Sequence, residues 1–298
     1  METKSKKKTI LLTITTIAVI GSGATIGLIA GRKFFAPPDL GSLDIDINEN
    51  DDELYAKYIN YKNQKVDIYR YLNEFRPYQL VKLGLMNFEK AEYAQITNTG
   101  TVNASIANQT VNSKYIKVNN SYFSESLSLG MMKIGWRFYQ SDDEIKVYKS
   151  SKLNNAESAE WLSDVKETYN SESFKETWGK SMKMPFIYTI NNLTIDNENS
   201  KIENECIIVN LSLKPNLATI NYGKQMKKTS NLSDVPTFDL INLKLTLNKE
   251  LVITKNEIYE EYDVPYGFKV PTKGTIVEQY TYLENVDIPS LNEDANYK

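Results

Sequence analysis

Apolar positions along this chain recur in three different ways, and each predicts a different kind of element. From Thr9 to Gly31 there is no alternation at all: 23 consecutive residues carry no charge. As a helix this run would reach about 34 Å, enough to cross the hydrocarbon core of a bilayer. Lys4, Lys6, Lys7 and Lys8 precede it and only Arg32 and Lys33 follow, which predicts a basic cytoplasmic tail (residues 1–8) and a remainder outside the membrane. A cleavable signal peptide ending near Ser22-Gly23-Ala24 would give the same topology. However, the apolar stretch continues through Ile26, Leu28 and Ile29 to a full span, so an uncleaved anchor over residues 9–31 is the expectation. Within it Gly23, Gly27 and Gly31 recur every four residues and form one smooth face on which a second helix could dock.

Residues 32–50 read as a linker, since the stretch from Ala36 to Asp52 begins with Pro37-Pro38 and ends acidic. Helical spacing follows. Leu54, Tyr58, Tyr61, Ile68, Leu72 and Phe75 recur at three- and four-residue intervals, with Lys65 interrupting, and predict a helix over 51–75. Tyr55, Ile59, Val66 and Tyr69 widen the stripe beyond a coiled-coil seam, so the helix is expected to pack on the protein's own sheet. Pro77 ends it, and residues 78–91 predict a second helix.

The third pattern has period two. It predicts strands over 93–107, 110–118, 122–129, 132–139 and 144–148. The clearest case is Met132, Ile134, Trp136 and Phe138 on one face with Lys133, Gly135, Arg137 and Tyr139 on the other. Glu125, between Phe123 and Leu127, interrupts an apolar face where an unpaired carboxylate is costly; an edge position or a shifted register is the expected explanation. Beyond a polar connection, residues 158–180 predict a helix offering Trp161, Phe174 and Trp178. Strands are then expected at 185–195 and 205–213, a helix at 217–228, and strands at 238–247, 251–262 and 275–283, the first two of these joined at Asn248-Lys249. The fold class is therefore α+β: an N-terminal transmembrane helix, then an antiparallel sheet packed with helices. One extracytoplasmic domain covers residues 51–287, with possible halves at 51–150 and 155–287, and 288–298 form a flexible tail.

Composition narrows the chemistry. Hydrophobic residues make up 41% of the chain, sufficient to bury a core. The chain's net charge is −3, yet its first 35 residues hold six basic groups and only one acid, Glu2. The remainder is thus acidic, with Arg70, Arg76 and Arg137 as its only arginines, and lacks the cation clusters that neutralise phosphates, so nucleic acid is not an expected partner. Histidine is absent and Cys206 is the single cysteine, which excludes an intrachain disulfide, a Cys/His metal cage and a Ser/His triad. Cys206 precedes the alternating Ile207, Val209, Leu211 and Leu213 and reads as an ordinary small strand residue. Abundant Asn, Lys, Ile and Tyr point to an AT-rich genome, as in low-GC Gram-positive bacteria, and the Asn-x-Ser/Thr triplets at Asn103, Asn192 and Asn231 follow from that composition.

No catalytic, cofactor or metal motif is intact. Ser163-Asp164-Val165-Lys166 fits the S-x-x-K pattern of penicillin-binding proteins, but no Ser-Asp-Asn accompanies it and Lys273-Gly274-Thr275 has the wrong order. Asp44, Asp46 and Asn48 begin like a calcium loop, yet Glu49 stands where the turn glycine belongs and Tyr55 where the bidentate Glu belongs. Glu260-Glu261 alternate across a strand and are expected on a solvated surface.

The leading helix followed by Ser113-Lys114-Tyr115-Ile116-Lys117-Val118, Tyr122 to Leu129 and Met132 to Tyr139, with closing strands from Phe238 to Leu283, resembles the half-barrel of LolA-like lipoprotein carriers and mycobacterial lipid-binding lipoproteins. The resemblance implies an antiparallel sheet curled around helices and an apolar cleft for acyl chains, lined here by Met132, Ile134, Trp136, Phe138, Ile145 and Val147. The chain lacks those proteins' lipid-attachment cysteine. The functional expectation is a single-pass, non-catalytic binding protein for lipid or lipoprotein in the cell envelope; the alternative is an interaction subunit of an envelope assembly. The anchor's glycine face also predicts self-association. Gly27→Ile is expected to abolish it in a membrane two-hybrid reporter, and an unchanged signal would remove that role.

Overall fold

The computed structural model describes residues 50–104, 107–130, 133–230, 232–265 and 269–289. The anchor with Gly23, Gly27 and Gly31, the linker up to residue 49, Met132 and the tail from residue 290 lie outside the described residues.

Among the described residues three helices come first. α1 (Asp51–Asn63) is capped by Asn50, whose side chain accepts from the Asp52 and Glu53 backbone amides. The expected helix over 51–75 is broken in the middle: Lys65 takes φ 52°, and Asp67 caps a new helix, α2 (Ile68–Glu74), by accepting from the Tyr69 amide at 2.8 Å. The local hydrogen-bonding of Asp67 overrides the apolar periodicity. α3 (Pro77–Lys90) starts with proline at its first turn, and Glu198 fastens that start by accepting from Arg76 Nη2 at 2.6 Å and from the Tyr78 amide at 2.9 Å.

Twelve strands form one antiparallel sheet. They are β1 (Tyr93–Ala104), β2 (Ala107–Val118), β3 (Ser121–Leu129), β4 (Lys133–Ser141), β5 (Glu144–Leu153), β6 (Ala159–Trp161), β7 (Glu167–Tyr169), β8 (Ile195–Glu203), β9 (Cys206–Leu213), β10 (Thr237–Leu247), β11 (Ile253–Pro265) and β12 (Lys269–Tyr282). The spatial order is β6-β5-β4-β3-β2-β1-β12-β11-β10-β9-β8, with β7 pairing β5. The sheet stays open, and the first and last long strands meet in its centre: β1 pairs β12 from Ala94↔Tyr282 to Ala104↔Thr272. Helices pack the concave side, α3 against β8, β9 and β11, and α4 (Ser171–Trp178) against β5 and β7. α5 (Pro215–Ala218) lies on β10 and α6 (Ile220–Ser230) on α4. This is the curled sheet around helices that the resemblance implied.

Three expectations fail here for physical reasons. Residues 158–180 are a helix only over α4, because the edge of β5 recruits β6 and β7. Trp161 thereby joins Leu127, Leu153 and Ala159 in a second small cluster apart from the main core. Gly135 makes room for it, since a Cβ there would stand 2.7 Å from Leu127 and 3.0 Å from Trp161. Residues 185–195 are not a strand but the end of an irregular strap, 179–194, closed by the Asn191 side chain accepting from the Leu193 amide at 2.9 Å. Glu125 lies at neither an edge nor a shifted register. It faces Arg137 across β3 and β4 and accepts from its Nε at 2.5 Å, while the guanidinium sits 4.2 Å over the Trp161 ring.

The approach of α3 to the sheet depends on Gly84, where a Cβ would meet Ile253 at 2.7 Å and Leu247 at 3.0 Å. Tyr58 and Asn87 then reach the β10–β11 turn, donating to the carbonyls of Glu250 at 2.7 Å and Leu251 at 2.9 Å. Gly84→Ala is expected to lower stability in urea unfolding by about 1–3 kcal/mol despite alanine's higher helix propensity. Gly223→Ala, whose Cβ would meet only Val235 at 3.5 Å, should be neutral or stabilising.

Candidate functional site

The inward positions of each central strand are mostly apolar, and each series has an interruption. β1 carries Ala94, Ile96, Asn98 and Val102; β11 carries Asn256, Ile258, Glu260 and Tyr262; β12 carries Ile276, Glu278 and Tyr280. Register turns these interruptions into one feature. Asn256 pairs with Glu278, Glu278 with Asn98, Asn98 with Ser113 and Ser113 with Ser126, so a polar row crosses the concave face between Leu245 and Trp136.

The row is unevenly satisfied. Glu278 accepts from Asn256 Nδ2 and from the Tyr280 hydroxyl, both at 2.9 Å, while burial raises its pKa above the usual carboxylate range and outweighs those two donors. Asn98 is only 3% exposed, yet neither atom of its amide has a hydrogen-bond partner, and neither does Ser126 Oγ. Each such group costs about 1–3 kcal/mol when left unmet.

These residues line a cavity of about 40 Å³ between the sheet and the strap. Ile96 and Tyr115 wall it from the sheet; Lys180, Met182, Pro185 and Ile187 close it from the strap. Tyr115 fixes the strap by donating to the Met182 carbonyl at 2.7 Å. Lys180 is half-buried, with its ammonium 3.8 Å from the centre of the Phe138 ring, and burial lowers its pKa to about 7.

A second buried carboxyl lies deeper. Glu260 is fully buried, contrary to the solvated surface expected of the Glu260-Glu261 pair, and accepts from the hydroxyls of Tyr188 at 2.8 Å and Tyr222 at 3.1 Å. Desolvation exceeds the effect of both donors and lifts its pKa to about 7. Gly274 provides the space, since a Cβ there would stand 2.9 Å from Glu260 Cγ. Glu261 does face outward, paired with Lys273 at 2.7 Å.

The expected acyl-chain wall is placed as follows. Ile134, Trp136, Phe138, Ile145 and Val147 are all buried in the main core, and Met132 lies outside the described residues. α4 covers the wall: Phe138 meets Phe174 and Trp178 at 5.6 and 5.1 Å, and Trp136 meets Trp178 at 5.3 Å. Ser163 and Lys166 sit exposed in the β6–β7 connection, with Lys166 over the Trp136 ring at 4.4 Å, away from any helix start. Among the described residues no group of three or more acidic or cysteine side chains could hold a metal ion. A larger hollow, about 460 Å³, lies on the outward face of β8–β12, and two pairs of its polar groups meet one another, Asn210 to Asn199 at 2.9 Å and Lys244 to Glu257 at 3.0 Å. Sequence reading missed Asn98, Lys180, Glu260 and Glu278; the signal was a polar residue within an apolar alternation, as at Asn98 and Glu278.

No protein-family model matches the chain, and no curated protein matches it. Among solved structures, the chain is similar to the lipoprotein LppX of Mycobacterium tuberculosis, with 8% identity over 72% of this chain and 98% of that one and a TM-score of 0.36. It is similar also to LprF from Mycobacterium bovis, with 9% identity over 72% of this chain and 96% of that one and a TM-score of 0.33.

The raised pKa of Glu260 fixes the sign of a pH effect. Between its usual value of 4.5 and about 7 the folded state holds more protons than the unfolded state, so Glu260's contribution to stability is complete below pH 4.5 and lost as pH rises to about 7. Glu260→Gln is expected to remove that decline, on the order of 3 kcal/mol, in unfolding curves measured from pH 4 to 8.

Proposed function

We propose that this chain is a non-catalytic binding protein, held at the outer face of a bacterial membrane by residues 9–31, that takes an amphipathic, acyl-bearing ligand such as a lipid or lipoprotein into the concave side of its sheet. The observation that carries the reading is the cavity at the strap, where unmet polar groups of the sheet meet apolar side chains of Met182, Pro185 and Ile187. A polar end and an apolar remainder are what such a lining accommodates. At about 40 Å³ the cavity holds roughly three waters and no acyl chain, so the ligand enters as the strap and α4 lift together. The tail then replaces Phe174 and Trp178 against Ile134, Trp136, Phe138, Ile145 and Val147.

One observation favours a second reading, an interaction subunit of an envelope assembly: the concave side is already filled, with Phe138, Phe174 and Trp178 forming a closed aromatic cluster. Native mass spectrometry of the full chain extracted from membranes separates the two. A carrier is expected to show a discrete mass increment matching an acylated ligand, lost on Phe138→Asp. A bare mass accompanied by a stoichiometric crosslinked protein partner in cells would establish the second reading instead.

A further inference from the structure

We propose that the cavity between Asn98 and Lys180 is a receptor for the carboxylate end of the amphipathic ligand. This names the head group for the carrier reading and rests on that reading for the tail alone.

Charge, donors and volume lead to the same ligand. Lys180 is half-buried, among the described residues its ammonium forms no ion pair, and the Phe138 ring face lies against it at 3.8 Å. A partly desolvated cation without a counterion is relieved by an anion. Glu278, the only acid among the described residues of the cavity wall, does not supply one: its carboxyl is engaged by Asn256 and Tyr280. The Asn98 amide and the Ser126 hydroxyl have no partner, and the half-buried Ser113 and Ser124 line the same cavity as Lys180, so donors are available on its wall. Charge-assisted hydrogen bonds from such groups are about twice as strong as neutral ones. A volume of about 40 Å³ admits a group as small as a carboxylate. Apolar side chains at the strap, Pro185 and Ile187, adjoin the position where the ligand's first methylenes would leave the cavity.

The test uses the full chain in phosphatidylcholine nanodiscs with dodecanoate carrying ¹³C at its carboxyl, and with dodecanol and acetate in parallel. A protein-bound carboxyl resonance distinct from that of bilayer-dissolved dodecanoate is expected, with dodecanol failing to displace it. Lys180→Met should weaken binding at least tenfold, Asn98→Leu should weaken it, and Lys180→Arg should retain it. Binding at pH 8 should take up protons as the bound carboxylate recharges Lys180. Equal binding of dodecanoate by wild type and Lys180→Met, with the thermal unfolding of the variant unchanged, would overturn the carboxylate site and leave the carrier reading standing. Acetate saturating the site while dodecanoate is excluded would uphold the carboxylate site and overturn the carrier reading. Binding of neither would overturn the proposal.

Discussion

Everything else in this molecule depends on the pairing of β1 with β12. These strands lie at opposite ends of the domain's sequence, and their ladder from Ala94↔Tyr282 to Ala104↔Thr272 joins two meanders into one continuous sheet. Closing so long a loop is entropically expensive and is repaid only when the sheet buries a common core. Phe88 of α3 sits over the seam, meeting Tyr280 of β12 at 5.7 Å and Tyr115 of β2 at 6.0 Å. The seam is thus held by backbone hydrogen bonds in the sheet and by aromatic packing above it.

The same pairing creates the polar row. Asn98 and Glu278 become neighbours only because β1 and β12 are in register, and Ser113 and Ser126 extend the row through β2 and β3. A slip of one residue would turn every inward side chain outward, so register, core and cavity are specified together. The row is tolerated because part of it is satisfied internally, through Asn256, Glu278 and Tyr280, while the rest opens into the cavity. Glu260 follows a different logic. Its carboxyl is sealed by Tyr188 from the strap and Tyr222 from α6, which ties those two segments to the sheet through one buried acid.

Much of the element pattern was legible in the chain. Strands with strict alternation, such as Met132 to Tyr139 and Phe238 to Leu247, were found nearly at their observed bounds because a half-buried antiparallel strand forces period two. Reading failed where a nonlocal edge or a local cap took over. Residues 158–180 have helix-compatible spacing, but the exposed edge of β5 offered backbone partners to β6 and β7. Glu125 was legible as an anomaly, and its explanation, Arg137 directly opposite on β4, required the pairing.

By itself the sequence determined the uncharged run at the N-terminus, the α+β class, the acidic character beyond residue 35 and the absence of histidine chemistry, because these follow from composition and short-range periodicity. Tertiary structure decided which interruptions of the apolar pattern meet. Asn98, Ser126, Glu278 and Lys180 come from four separate stretches, and each alone reads as a strand or helix residue of no special kind. Only the cross-strand register and the path of the strap place them around one cavity, since hydrogen-bond pairing between distant strands is not encoded in the spacing within any one of them.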